Sequence, residues 1–222
     1  MPKRTLVIAP HPDDETLGCG GTLLRRKANH EEIAWLIVTA ISEQSGWPRE
    51  RVHQREAEVA QVAELIGFNR VFNLQLPPAQ LDQVPMAELA KKFSEVFDAF
   101  QPEEVFLPHR ADVHSDHRIV FDVAATSTKW FRHPSVQRVL TYETISETEF
   151  GLAPESKFQP NCFIDISNYL DHKLKILAVY ESELGAFPFP RSPEAIRAQA
   201  ILRGAASGYN AAEAFQLLLE RH

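Results

Sequence analysis

Cysteine is scarce in this chain: only Cys19 and Cys162 occur among 222 residues. Two thiols so far apart form neither a disulfide framework nor a Cys-x-x-Cys metal knuckle, and the expectation is a reducing, cytoplasmic setting. Positive charge is also in short supply. Against 30 Asp+Glu there are 23 Lys+Arg, a formal net charge of -7, and no basic run offsets it. That excludes a general nucleic-acid binder. No apolar stretch approaches the roughly 18 residues of a membrane-spanning helix. The apolar run behind Lys3 and Arg4 is too short for a signal-peptide core, and Asp13 and Asp14 follow at once. Internal repeats and low-complexity tracts are missing too. So is Gly-x-Gly-x-x-Gly, which argues against a dinucleotide-dependent oxidoreductase.

What is present is an ordinary globular composition, 44% hydrophobic and 24% charged. Its length suits one α/β domain over residues 1–222, with a core over 1–145 and a C-terminal elaboration over 146–222. Apolar runs at Thr5 to Ala9, Ile33 to Thr39, Arg70 to Leu74, Glu104 to Leu107 and Val139 to Tyr142 read as buried strands. Helical patterns separate them at Gly18 to Asn29, Pro48 to Ile66, Met86 to Phe100 and Ser115 to Ser127. Such alternation predicts a Rossmann-like, doubly wound, mostly parallel sheet with helices on both faces. In the last third, Cys162 to Ile166 reads as another strand. Tyr169 to Glu183, Pro193 to Ala206 and Ala211 to Glu220 read as helices, making the elaboration largely helical.

In an open parallel sheet, ligands bind beyond the carboxyl ends of the strands, where strand order reverses. With a strand order of 3-2-1-4-5, strands one and four flank that point, and both of their ends carry dense chemistry. After the first come His11-Pro12-Asp13-Asp14-Glu15 and then Gly18, Gly20 and Gly21. The two prolines, Pro10 and Pro12, force a non-helical turn in which His11 and Asp14 can converge. The glycines let the following helix approach the sheet closely. After the fourth strand comes His114-Ser115-Asp116-His117, whose histidines share one face near a helix start. Imidazole and carboxylate together suit Zn2+, and the same ligand types also accept Fe2+, Co2+ or Mn2+. Either cluster alone would be commonplace; their joint placement at neighbouring strand ends is not. Arg55, Arg110 and Arg118 are candidates for contacting phosphate or sugar hydroxyls. Trp47, Tyr142 and Glu143 are candidates for the cleft border. His109 reads as structural, and Cys19 as a small packing residue. The Phe187-Pro188-Phe189-Pro190 loop is either a rigid lip or a stiff connector.

On these residues the chain resembles the PIG-L/LmbE-like zinc-dependent de-N-acetylases. The resemblance rests on His11 to Glu15 after a strand and on His114 to His117. Gly21, Arg55 with Glu58, Tyr180, Arg203-Gly204 and Ala212 to Phe215 extend it along the chain. It implies His11, Asp14 and His117 as metal ligands and Asp13 as general base and later proton donor. It also implies His114 as stabiliser of the tetrahedral intermediate, oriented by Asp116, and Arg55 as a substrate contact. Some members carry a tyrosine where this chain has Asp112, which shifts oxyanion stabilisation towards the metal and His114. The implied reaction is hydrolysis of an N-acetyl group from an N-acetylglucosamine-type sugar or its conjugate. An amidase for a non-sugar N-acyl or thiol-conjugate substrate is the alternative. A lipid-linked substrate would be met at a membrane surface, and a homo-oligomer is compatible with everything above. A non-catalytic sugar- or nucleotide-binding domain has little use for Asp13 beside Asp14.

Overall fold

The computed structural model describes residues 3–152 and 154–222. The predicted strands are β1 (Arg4–Ala9), β2 (Glu32–Thr39), β3 (Arg70–Leu76), β4 (Glu104–Pro108) and β5 (Arg138–Tyr142). Between them run α1 (Asp14–Ala28), α2 (Arg49–Ile66), α3 (Met86–Phe100) and α4 (Ser115–Ser127). Then come β6 (Cys162–Asp165), α5 (Leu170–Leu177), α6 (Pro193–Ser207) and β7 (Ala212–Glu220). The seven-stranded sheet has the order β3-β2-β1-β4-β5-β7-β6. β1 to β5 are parallel, while β7 runs antiparallel to both β5 and β6. The expected doubly wound architecture and its 3-2-1-4-5 order are therefore present.

Alternation along the strands divides the core into two layers. Leu6, Ile8, Leu36 and Val38 face α3 and α4 through Leu89, Phe93, Phe97 and Val120. Val7, Ala9, Trp35 and Ile37 face the opposite side, against Leu23, Val62, Ile66 and Ile176. Burying each such side chain contributes about 1.5–3 kcal/mol. Among the described residues, no helix is long and apolar enough to cross a membrane.

Three expectations change. Ala211 to Glu220 is not a helix but the strand β7, despite its helix-favouring Ala, Glu and Leu. Its position between β5 and β6 gives its backbone hydrogen bonds on both sides, and that tertiary pairing overrides a propensity of tenths of a kcal/mol per residue. Helical backbone begins at Asp14, ahead of Gly18, with Asp14 and Glu15 in a first turn where the helix dipole favours anions; it breaks at Cys19 (φ -146, ψ 19), and the longer piece then runs on from the glycines as expected. The helix at Tyr169 to Glu183 ends at Leu177, and the chain tightens into a short 3-10 turn at Glu181–Glu183.

The glycines of α1 act as expected. Added side-chain carbon at Gly18 would overlap the Tyr142 ring, and at Gly21 it would sit 2.8 Å from Ile166 Cγ2. Tyr142 is itself fixed by donating its hydroxyl to the Ile8 carbonyl at 2.8 Å. Gly18→Ala should therefore destabilise by about 1–3 kcal/mol through overpacking. Denaturant unfolding checks it; a midpoint equal to wild type would mean that α1 can retreat from the sheet.

Candidate active site

The site is built where β1 and β4 end side by side. Pro10, His11 and Pro12 turn the chain sharply, and Asp13 takes a backbone conformation with φ 129. A non-glycine residue there costs on the order of 1–3 kcal/mol, so the surrounding structure must hold it. It does: the Asp13 N–H donates to Glu15 Oε2 at 3.0 Å, and Glu15 also accepts from the Tyr180 hydroxyl at 3.2 Å. Burial pushes the Glu15 carboxyl up to about 7. The His11 N–H donates to Asp14 Oδ2 at 2.8 Å, closing the turn onto the first residue of α1.

The second strand end supplies the imidazoles. His117 is fully buried, and its Nδ1 lies 2.8 Å from Asp112 Oδ2. Asp112 is fixed in turn by the Thr148 hydroxyl, which donates to its Oδ1 at 2.7 Å. With Nδ1–H pointed at that carboxylate, the His117 Nε2 lone pair faces the Asp14 carboxylate at 3.3 Å, buried and without a hydrogen-bond partner among the described residues. Two electron-rich atoms so close need a cation between them. His11 Nδ1 lies at the same 3.3 Å from Asp14 Oδ2. Ligands of a tetrahedral zinc with bonds near 2.1 Å are about 3.4 Å apart, so these separations fit. His11, Asp14 and His117 thus form a group that could hold a metal ion. The anchored imidazole is the usual way of fixing a ligand's tautomer.

The electrostatics agree. Burial works against charge on His117, yet Asp14 and the hydrogen-bonded Asp112 raise its pKa well above the ordinary value. Burial likewise opposes charge on His11, but Asp116 and Asp14 push it up to about 9. Against its own burial, Asp14 is held well below the carboxylate range by His117 and His11. A proton and a metal ion are alternative answers to the same concentration of negative charge. Asp13 shifts the other way, raised by burial and by the neighbouring Asp14.

A second group, His11, His114 and Asp116, is also compact enough to hold a metal. Asp116 Oδ2, however, already accepts from the Ala79 N–H at 2.7 Å and lies 3.1 Å from His11 Nε2. Its carboxylate therefore orients His11. Towards His114, Asp116 acts through its backbone: its N–H donates to His114 Nδ1 at 3.1 Å, while its Oδ2 stays 3.9 Å from that atom. Burial and His11 lower the His114 pKa.

A cavity of about 320 Å³ opens over this group, lined by His11, Asp13, Asp14 and His114. Its far wall carries Trp47, Arg51, Arg55, Glu147, Glu183 and Arg191. Trp47 is thus at the border, as expected. Arg55 is on the wall, but its donors are engaged by the Pro12 carbonyl at 3.1 Å, by Glu58 and by Glu183. Tyr142 lies in the core, and Glu143 is paired to Arg203 away from this cavity. Arg110 pairs with Asp122, and Arg118 and His109 line a separate hollow of about 820 Å³ that lacks the ligand set. His109 Nε2 is bonded to the Ser156 carbonyl, which fits a structural role. Cys19 is buried in the core.

Sequence reading treats Asp112 only as a departure and passes over Glu183 and Arg191. Arg191 has one signal, as the only charge in a proline-rich loop. Asp112→Asn should weaken metal affinity about 10–100-fold, since an amide cannot fix the His117 tautomer in the same way. A competitive chelator titration measures it, and an unchanged affinity would remove Asp112 from the metal's support.

The PIG-L family model, GlcNAc-PI de-N-acetylase, matches residues 6–127, a stretch that contains both motifs. The chain belongs to the PIG-L family. Diacetylchitobiose deacetylase of Thermococcus kodakarensis is 26% identical, covering 97% of this chain and 83% of that protein. A probable N-acetyl-alpha-D-glucosaminyl L-malate deacetylase 2 of Bacillus cereus is 25% identical, covering 84% and 86%. Among solved structures, the conserved protein TT1542 of Thermus thermophilus superposes with a TM-score of 0.78 and 30% identity over 98% of this chain and 96% of that one. For this PIG-L member, the resemblance read from the sequence and the N-acetylglucosamine-type deacetylase function agree with the family model and the two deacetylases, and the α/β fold agrees with the solved structure. The N-terminal half carries the family match; β5, β6, α5, α6 and β7 lie beyond it.

Proposed function

We propose that this PIG-L member is a zinc-dependent N-deacetylase that hydrolyses the acetamide of an N-acetylglucosamine-type sugar or its conjugate, in the cytoplasm. The observation that carries the reading is the unpartnered, buried Nε2 of His117, aimed at Asp14 beside His11. His11, Asp14 and His117 would hold the cation. A bound divalent cation supplies Lewis acidity, polarising an acyl oxygen and activating water at neutral pH.

The chain's own groups do the rest. Asp13 is buried at the cavity wall, one residue from Asp14, and is not part of the convergent ligand group. It takes the proton from attacking water and returns it to the departing nitrogen. Such assistance contributes about 10²–10⁴-fold. His114 accepts a backbone N–H at Nδ1, so its neutral tautomer carries the proton on Nε2. That donor serves the oxygen on which negative charge develops. Asp116 holds the His11 ring, and Arg55 braces the catalytic turn through the Pro12 carbonyl while presenting its edge to the sugar.

The test is a free-amine assay on a panel of N-acetylglucosamine derivatives beside non-sugar N-acyl and thiol-conjugate amides. The expected result is amine release confined to the acetylated amino sugars. Release only from the other amides would replace the sugar reading with the amidase one.

A further inference from the structure

Three arginines face the cavity, but they are not equivalent. Arg51 and Arg55 are held by Glu58 and Glu183, and Arg55 also by the Pro12 carbonyl. Among the described residues, Arg191 has polar contacts only at the outer limit of hydrogen bonding: Nη1 lies 3.5 Å from Asp13 Oδ2, and Nη2 lies 3.6 Å from Glu183 Oε2. Its Nε is buried and has no partner among the described residues. A guanidinium carries five donors in a rigid fork, so this one retains most of its capacity.

Its placement is nevertheless firm. The next residue, Ser192, is a fully buried helix cap whose Oγ accepts the Ala195 N–H at 3.2 Å, and its own N–H donates to the Phe189 carbonyl at 2.9 Å. The Phe189 ring lies under the guanidinium, 5.5 Å from its carbon to the ring centroid. Prolines at 188, 190 and 193 stiffen the segment. An underused donor set is thus fixed beside the carboxylate assigned as base. An amino sugar presents hydroxyl, ring and acyl oxygens, all of them acceptors.

We propose that Arg191 is a further substrate-contacting residue, donating to an oxygen of the amino sugar on the Asp13 side of the reacting amide. Glu183 and Phe189 act as its positioning residues. The inference rests on the deacetylase reading and adds the C-terminal proline-rich segment to the site.

The experiment compares wild type, Arg191→Gln and Arg191→Lys on an N-acetylglucosamine derivative that wild type deacetylates. Metal content, thermal midpoint and the inhibition constant of the amino-sugar product are measured alongside. The expected result for Arg191→Gln is a 10–100-fold loss in kcat/KM and at least a fivefold weaker product affinity, with metal content and midpoint at wild-type values. Arg191→Lys should recover only part of this, because an ammonium lacks the planar fork. A glutamine variant within twofold of wild type in both kcat/KM and product affinity would overturn the inference while leaving the deacetylase reading intact. Wild type that releases no amine from any acetylated sugar would overturn the reading and the inference together. Should Arg191→Gln fold poorly, Phe189→Leu, which removes only the aromatic support, is expected to lower kcat/KM about threefold or more with the metal retained; unchanged values there also count against the proposal.

Discussion

Asp13→Asn is expected to keep its metal and lose about 10²–10⁴-fold in turnover. The substitution preserves size while removing the ability to accept a proton and the negative charge beside Arg191. Asp13 lies next to a metal ligand without belonging to the convergent group of His11, Asp14 and His117, so metal content should not fall. Stability supplies a second, independent readout. Burial and the neighbouring Asp14 raise the pKa of Asp13 in the folded chain. A carboxyl with a raised folded-state pKa binds its proton more tightly when folded, so its ionisation weakens the fold as pH climbs above the unfolded value. Measured on metal-free protein, a neutral amide lacks that penalty, and the thermal midpoint at neutral pH should stay level or rise. Loss of turnover together with a higher midpoint separates a catalytic role from simple damage. Near-normal turnover would remove Asp13 as the base.

Stripping the metal should cost stability as well as activity. The buried carboxylates Asp13, Asp14, Asp112 and Asp116 crowd around His11 and His117. A ligand that binds only the folded state at a thousand times its Kd stabilises by about 4 kcal/mol. Each kcal/mol shifts the midpoint of a chain this size by about 2–4 °C. A chelator should thus lower Tm by on the order of 10 °C, and added Zn2+ should restore it. His117→Ala should already be low and respond to neither treatment. A chelator-insensitive wild-type Tm, with metal demonstrably removed, would show that the cluster is held by protons and hydrogen bonds alone.

Legibility differs sharply between the two halves of the molecule. The parallel strands β1, β2, β4 and β5 are buried on both faces, and a continuous apolar run is the signature of that environment. The two motifs are readable because proline, histidine and aspartate stand at neighbouring strand ends. β7 reads wrongly because Ala212 to Glu220 has helical composition, and only the partners β5 and β6, remote in sequence, make it a strand. Asp116 reads as serving its close neighbour His114, whereas folding brings its carboxylate to His11 from 105 residues away. Glu183 is invisible for the same reason, and Arg191 is marked only as the one charge in a proline-rich loop. They reach the cavity only because α5 stops at Leu177 and the chain turns back across Asp13.

The central claim is that one metal ion, held by His11, Asp14 and His117, serves amide hydrolysis on an acetylated amino sugar. Elemental analysis of the purified protein and of His11→Ala, paired with amine release from N-acetylglucosamine derivatives, tests it most directly. The account predicts about one zinc per chain in wild type, the metal lost in the variant, and amine formed by wild type alone. A wild-type protein that binds no metal even on reconstitution, or a His11→Ala variant that keeps both metal and activity, would contradict it.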